Sequence, residues 1–524
     1  MCTTGKSNKE EKIVMKNMML YLESNPQIKE VLLVLGPSSN INIVKDIFTG
    51  MQLDKLTICL STTKQEKNYK KLMENINGDK KYYVPDKLVC VKQDFLKEYT
   101  KESDEMAIIF NGIKNKKFLL SLKEICPKYL IGICRRREVS KFDIWEEFRH
   151  YVQQMYIISD NKTSEVLNWH RDENSDIELS VIFPMYNIAK YLPQCIESVT
   201  AWKAEYLEFL FVDDGSPDNC SEIVEEYAKH DSRIKLLRKV NGGCASARQF
   251  GLDRAKGRYI GFIDPDDFID TSMFRKLLGR ALDGSYEVAY CGYNDYYENL
   301  GTTKEICDTL GHPYDQGTTD PTMINQLICY QRVAIWRGIY SRDLITRSKI
   351  HFYTDLRRFD DLPFKVEVLS KARSVVAVPE YLYYYRMSRP GQDVSADDER
   401  LYVHFPIFEY LNDYIRKSYD KRQIDYLQLV KVHTHMYALE KIKKEYIKEY
   451  CKQAKKDIRS NFGYLEGCYV VKKLGTIVDV FHYTELYFGM SGFIQWMKER
   501  PVRQRKDKNA VAINKLKTLN TKGI

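Results

Sequence analysis

Two short apolar runs, Phe209-Leu210-Phe211-Val212 and Tyr259-Ile260-Gly261-Phe262-Ile263, each end directly in aspartates: Asp213-Asp214 after the first, Asp264, Asp266 and Asp267 after the second. Unalternating runs of this length, set between helical patterns, are typical of strands buried on both faces of a parallel sheet. Open α/β sheets bind ligands outside the carboxyl ends of their strands, so both clusters fall at the ligand edge of one sheet. Carboxylates gathered there repel one another unless a positive charge sits among them. A hard divalent cation, Mg2+ or Mn2+, relieves that repulsion and shares its remaining positions with a diphosphate. Helix capping at strand-to-helix turns explains one cluster, not two.

Further apolar runs at 179–183, 234–237 and 288–291 extend this second α/β region, expected over 176–395. Between its first two strands Leu192, Cys195, Ile196, Val199 and Trp202 recur at helical spacing as core positions. The next helix is expected to start at Ser216-Pro217, a capping residue before a proline at the first turn. Upstream, runs at 31–35, 56–60, 88–91, 106–110 and 129–133 predict a Rossmann-like domain over 29–170, preceded by a polar tail over 1–28. Its first turn, Gly36-Pro37-Ser38-Ser39-Asn40, lacks the glycine spacing that admits a dinucleotide. Asp94 stands where a methyltransferase would use an acid, but a non-catalytic scaffold is the expectation. Residues 171–176 form a polar joint, and 396–524 read as helices, one of them over 437–456, ending in a basic tail.

The 524 residues exceed one ordinary core. The hydrophobic and charged fractions, 44% and 29%, fit a soluble globular chain. Thirteen cysteines, an odd number with no CxxC pair, indicate a reducing compartment. The first residues lack the apolar core of a signal peptide and no long apolar run occurs, so a cytoplasmic location is expected. The net charge of +9 is mild, and much of it lies in Lys498, Arg500, Arg503, Arg505, Lys506 and Lys508. Such a cluster suits a solvated tail or peripheral contact with an anionic inner membrane face. No nucleic-acid partner is expected. His433 and His435, two apart on a helix, diverge and are expected at the surface.

Residues 179–270 resemble the family 2 glycosyltransferase domain, which has the GT-A fold. The resemblance rests on Ser180-Val181-Ile182-Phe183-Pro184-Met185-Tyr186-Asn187, Val212-Asp213-Asp214-Gly215-Ser216, Asn241-Gly242-Gly243 through Ser246-Ala247-Arg248, and Phe262-Ile263-Asp264-Pro265-Asp266-Asp267. It extends with less specificity to about residue 390. It implies that Tyr186 stacks on a nucleotide base, with Pro184 and Asn187 shaping that loop. Asp213 or Asp214 would bond the base or ribose, and Arg248 would help hold the nucleotide. Asp264 and Asp266 would form the DxD pair that meets ribose and metal, with Asp267 beside them. Gln249 stands where the family usually has asparagine. The acidic pair Asp360-Asp361 would supply the base, Asp361 first and Asp360 as runner-up. Residues 336–340 resemble the acceptor-side segment and 381–385 the closing strand, with Arg386 a candidate phosphate contact.

The resemblance implies inverting, Mn2+- or Mg2+-dependent transfer of a hexosyl or N-acetylhexosaminyl group. The donor would be a nucleotide-sugar, most simply a UDP-sugar, and the acceptor a hydroxyl of a glycan or lipid-linked saccharide. A sugar nucleotidyltransferase would carry a glycine-rich basic loop after its first strand, where this chain has Pro184-Met185-Tyr186-Asn187. A non-catalytic nucleotide- or glycan-binding protein would not need the full acidic set. Neither flanking membrane helices nor a QxxRW motif is present to suggest a processive membrane synthase.

Overall fold

The computed structural model describes the chain between residues 28 and 490, with its larger gaps at 36–52, 77–86, 93–105, 112–121 and 388–395. The expected polar tail, the 36–40 turn, Asp94 and the basic cluster at 498–508 therefore lie outside the described residues. The architecture is α/β with a helical C-terminal region. The chain divides into two compact units, residues 1–178 with 274–289, and residues 179–273 with 290–524.

The first unit holds strands β1 (Glu30–Leu35), β2 (Lys55–Leu60), β3 (Lys87–Lys92), β4 (Met106–Asn111), β5 (Tyr129–Cys134), β6 (Gln154–Ser159) and β7 (Lys162–His170). Their order is β3-β2-β1-β4-β5-β6-β7, parallel except for β7, which runs antiparallel to β6. The first six follow the doubly wound dinucleotide-type order. Strand β1 is buried throughout, and its Glu30 is neutralised by Lys55 at 3.1 Å. Residues 274–289, which fall within the sequence span expected for the second region, group with this unit. Lys141 donates to the Asp283 carbonyl at 2.7 Å, and Arg275 pairs with Asp143 at 3.1 Å.

The second unit is built on β8 (Leu179–Met185), β9 (Leu207–Asp213), β10 (Ile234–Arg238), β11 (Tyr259–Phe262), β12 (Phe268–Ile269), β13 (Val288–Tyr297), β14 (Thr302–Ile306), β15 (Gly338–Ser341) and β16 (Val375–Arg386). The order is β10-β9-β8-β11-β15-β13-β16-β12, with β14 paired to β13. Strands β10, β9, β8 and β11 are mutually parallel, and β15 pairs antiparallel to β11. The chain winds outward from β8 through β9 to β10, then returns to β11 on its other side. The ligand crevice of such a sheet opens at that reversal. Every residue of β9 is buried, and Phe183 stacks on Phe211 at 4.2 Å between ring centroids. Glu208 sits in this apolar layer because Ser180, Lys235 and the Lys256 amide all donate to it. Burial acts to raise its carboxyl, but those bonds hold it below the ordinary value.

The expected helix at Ser216-Pro217 begins instead at Cys220, spanning Cys220–Ala228. The Ser216 amide is drawn back to the Asp213 carboxylate at 2.8 Å, and Asp218 accepts from the Ala189 amide at 2.8 Å. These bonds commit residues 216–218 to a loop. The expected helix over 437–456 is two helices, Arg422–Lys441 and Lys444–Ile458. Lys443 turns extended between them and gives its amide to the Asp397 carbonyl at 2.7 Å. His435 is not at the surface as expected. It is fully buried, bonding Tyr450 at 3.0 Å and Asp457 at 2.9 Å. Lys431, equally buried, completes that group through Asp457 at 2.7 Å. The pairing of acid with two basic partners explains why polar groups persist inside an apolar helical core. No helix among the described residues is long and apolar enough to cross a membrane.

Candidate active site

The carboxyl ends of β8, β9 and β11 bring three loops to one cleft of about 1300 Å³. Pro184, Tyr186 and Asn187 line it from the end of β8, with Tyr186 52% exposed. Asn187 adopts a positive φ of 55°, a conformation that asparagine tolerates better than most residues. From β9, Asp214 lines the cleft and Asp213 does not. The Asp214 carboxylate is gripped by Lys239 at 2.6 Å and by the amides of Gly242 at 3.0 Å and Gly243 at 2.7 Å. Gly243 reaches this position at φ +88°, where a side chain would be strained.

Asp213 has a local task. Its two oxygens accept from the Ser216 amide at 2.8 Å and the Ser221 hydroxyl at 2.6 Å. Burial acts to raise its carboxyl, but these donors bring it below the ordinary range. A carboxyl with a lowered folded pKa adds stability above its unfolded value and loses it as pH falls through the folded value. Asp213→Ala is therefore expected to cost about 2 kcal/mol at pH 7 in urea unfolding, with a smaller cost in acid. Its effect on nucleotide affinity should be smaller than that of Asp214→Ala.

Arg248, on the Cys244–Leu252 helix, joins two parts of the site distant in sequence. One terminal nitrogen donates to Asp360 at 2.8 Å and to Asp361, and the other donates to Asp264 at 2.6 Å. The expected nucleotide contact is thus a guanidinium occupied by three carboxylates. Burial opposes its charge, but the aspartates outweigh burial and hold it firmly protonated. Asp360 is nearly enclosed, with a side chain 4% exposed, whereas Asp361 is 19% exposed. Burial is the largest influence on both and raises both carboxyls, only partly offset by Arg248. Asp361 is pushed up to about 7. The preceding Phe359 is held at a positive φ of 56°, rare for an aromatic residue, and packs edge-on to His404 at 5.2 Å. Gln249 turns away from the cleft and accepts from the Phe352 amide at 2.8 Å.

In the loop after β11, Asp264 and Asp266 line the cleft while Asp267 lies beneath it. Asp267 accepts from the Tyr383 hydroxyl and the Arg386 amide, each at 2.7 Å. Arg386, a candidate phosphate contact by sequence, is a buried strut. It donates to the Asp266 carbonyl at 2.8 Å and to Gln194 at 2.6 Å, and pairs with Glu298 at 2.8 Å. Tyr191 faces its guanidinium at 4.9 Å. Trp336 lines the cleft and stacks on Tyr383 at 4.0 Å, so the acceptor-side segment and the aspartate loop share one aromatic brace.

The carboxylates at this edge are close enough to perturb their neighbours. Asp267 is raised well above the ordinary range, first by burial and then by Asp266 and Asp264. Such a field suits a cation. Among the described residues no three His, Cys, Asp or Glu side chains could hold a metal by themselves. The donor set fits the other pattern of hard-cation binding, in which one or two carboxylates share the ion with substrate phosphates.

Three features escaped sequence reasoning. Lys239 anchors Asp214, but a lone lysine beyond a strand carries no signal. Lys365 lines the cleft and is pushed down to about 7 by burial. The Arg422–Lys441 helix contributes Val430, His433, Thr434, Tyr437 and Lys441 to the same cleft, although its sequence shows only helical texture.

Residues 180–335 match the sequence model of Glycosyl transferase family 2. The uncharacterised glycosyltransferase EpsJ of Bacillus subtilis (strain 168) is 34% identical over 212 residues, covering 40% of this chain and 60% of the relative. The uncharacterised glycosyltransferase YibD of Escherichia coli (strain K12) is 30% identical over 214 residues, covering 40% and 62%. This chain thus spans about three fifths of the length of these relatives. A crystal structure of Staphylococcus aureus TarS 1–349 in complex with UDP aligns at 18% identity and a TM-score of 0.48, over 62% of this chain and 90% of that one. The likeness to the family 2 glycosyltransferases thus lies in residues 180–335, within the unit built on β8, β9 and β11.

Proposed function

We propose that the chain transfers a sugar from a nucleotide-sugar to an acceptor hydroxyl in one inverting displacement. The observation that carries this reading is the Arg248 bridge. It fixes the general-base candidate Asp361 beside Asp264, so a donor at the aspartate edge and an acceptor at the acidic pair meet in one cleft. Holding reactants in register removes much of the entropic barrier to a two-substrate reaction.

Tyr186, exposed at the rim, offers a ring face to the base, with Pro184 and Asn187 setting its loop. Asp214, immobilised by Lys239 and two glycine amides, presents a fixed acceptor to the nucleoside. Asp264 and Asp266 would hold Mn2+ or Mg2+ together with the diphosphate. The ion would act there as a Lewis acid on the leaving group. Asp361 takes the proton of the attacking hydroxyl. Burial raises its basicity toward neutral pH, where a general base works best. Arg248 keeps Asp360 and Asp361 from sharing a proton uselessly, by compensating part of their mutual charge. Uridine is the simplest base for the Tyr186 face, and the transferred group is a hexosyl or N-acetylhexosaminyl unit. The acceptor is a glycan or lipid-linked saccharide reached from the cytoplasm, with the basic 498–508 segment available for an anionic membrane face.

Calorimetry with UDP tests the donor half. Binding should tighten at least tenfold on adding Mn2+, and this gain should vanish in Asp266→Ala. A metal-independent affinity unchanged by Asp266→Ala would refute the donor assignment.

A further inference from the structure

Three helices of the second unit meet through a buried chain of polar groups. Lys431 and His435 stand on the Arg422–Lys441 helix, Tyr450 and Asp457 on the Lys444–Ile458 helix, and His404 opens the His404–Arg416 helix. Asp457 accepts from Lys431 at 2.7 Å and meets His435 Nε2 at 2.9 Å. The Tyr450 hydroxyl lies 3.0 Å from His435 Nδ1 and 3.2 Å from His404 Nδ1. Apolar side chains would fill this space with less desolvation, so the chain calls for a reason. Its far end supplies one. His404, itself only 2% exposed, lines the cleft, and the ring of Phe359, the residue before the acidic pair, packs against it at 5.2 Å. Tyr450 takes its Nδ1. Among the described residues nothing bonds its Nε2, and that nitrogen is not one of the fully enclosed polar atoms left without a partner. Nε2 is therefore the polar atom that His404 presents to the cleft.

The chain also fixes what that nitrogen can do. Burial acts to raise the Asp457 carboxyl, but its bonds with His435 and Lys431 hold it below the ordinary value, so it is ionised and only accepts. His435 must then donate through Nε2. Lys431 already balances the Asp457 charge, and a second cation here would be buried without a counter-charge. A neutral His435 leaves Nδ1 as an acceptor, so the Tyr450 hydroxyl gives its proton there. The Tyr450 oxygen in turn accepts from His404 Nδ1. Burial, and after it His435, push His404 down to about 3, so its ring carries a single proton, the one on Nδ1. Nε2 is left with a lone pair.

We infer that His404 binds the acceptor saccharide, its Nε2 accepting a hydrogen bond from a sugar hydroxyl in a tautomer set by Tyr450, His435 and Asp457. The inference rests on the transferase reading above and adds a selective element to its acceptor side. A lone pair at this place favours a hydroxyl and disfavours a carboxylate or phosphate oxygen, which brings only lone pairs of its own.

Nitrogen-15 NMR of the full chain, labelled at its histidines, reads the tautomer directly. His404 is identified by the signals lost in His404→Gln. It should show a protonated Nδ1 and a bare Nε2, and in Tyr450→Phe this preference should relax toward a mixture. A protonated Nε2 in the wild type would overturn the inference. The binding arm uses methyl glucoside and methyl N-acetylglucosaminide as probes, with UDP and Mg2+ bound. At high concentration at least one of them should move the His404 Nε2 signal. In calorimetry, His404→Leu should weaken that glycoside about tenfold, the scale of one lost hydrogen bond. His404→Gln, whose amide oxygen also accepts, should recover part of the loss, and UDP affinity should be unchanged in both variants. An Nε2 signal that neither glycoside moves, or a leucine variant that binds the sugar as the wild type does, would also overturn the inference. If the leucine variant does not fold, the wild-type signals and Tyr450→Phe still decide. Failure of UDP to bind would instead overturn the donor reading, on which the tautomer does not depend.

Discussion

Asp361→Asn should lower kcat about a thousandfold, within the usual contribution of a general base, while leaving the donor KM nearly unchanged. The asparagine keeps the shape and an oxygen facing Arg248 but cannot take a proton. In the wild type, a carboxyl pushed up to about 7 is protonated below that pH and unable to act. The rate should therefore rise with pH through about 7 and then level, and the residual rate of the variant should lose this inflection. Asp360→Asn should be less harmful to chemistry, because its side chain is the more enclosed of the two. Stability carries an independent signature. A carboxyl whose folded pKa lies above its unfolded value favours the folded state in acid and loses that contribution as pH rises through the folded value. The wild type should lose more stability between pH 6 and pH 8 than Asp361→Asn does, measured as the shift in melting temperature.

Arg248→Ala should be the most damaging single substitution to the fold of the second unit. It leaves Asp264, Asp360 and Asp361 facing one another without the cation that now bonds all three. Removing one partner of a buried ion pair costs about 3–5 kcal/mol, and the remaining carboxyls would respond by taking up protons. Arg248→Lys should recover only part of the loss, since a compact ammonium cannot fork between carboxylates as a guanidinium does. Urea unfolding at pH 7 measures the cost. The deficit of Arg248→Ala should narrow toward acid, where protonated aspartates no longer repel. A variant as stable as the wild type would show that the bridge contributes little.

The aspartate edge was legible because parallel strands buried on both faces appear in sequence as unbroken apolar runs. Whatever follows such a run must stand at the sheet's ligand edge. The same logic located β1, β2, β4, β5, β8 and β11 but gave no warning of β6 and β7, whose mixed residues pair as a hairpin at the sheet's edge. Side-chain tasks were less legible than positions. Asp213 and Asp214 are adjacent, yet one closes a turn while the other faces the cleft, a choice set by Ser221 and Lys239. Asp267 and Arg386 likewise hold each other below the cleft through contacts 119 residues apart in sequence. The Arg248 bridge spans 112 residues to Asp360, and no local pattern announces it. The helix break at Lys443 depends on the Asp397 carbonyl, and the burial of His435 on Tyr450 and Asp457, partners that periodicity cannot name.

One turnover measurement bears most directly on sugar transfer at this edge. The protein is incubated with Mn2+ and a panel of UDP- and GDP-sugars, with glycan and lipid-linked saccharides as acceptors. Products are identified by mass and by the anomeric configuration of the new linkage. The expected result is release of a nucleoside diphosphate with formation of a glycoside of inverted configuration, lost in both Asp266→Ala and Asp361→Asn. Release of pyrophosphate would mark a nucleotidyltransferase, and undiminished glycoside formation by Asp266→Ala would contradict the role given to the aspartate edge.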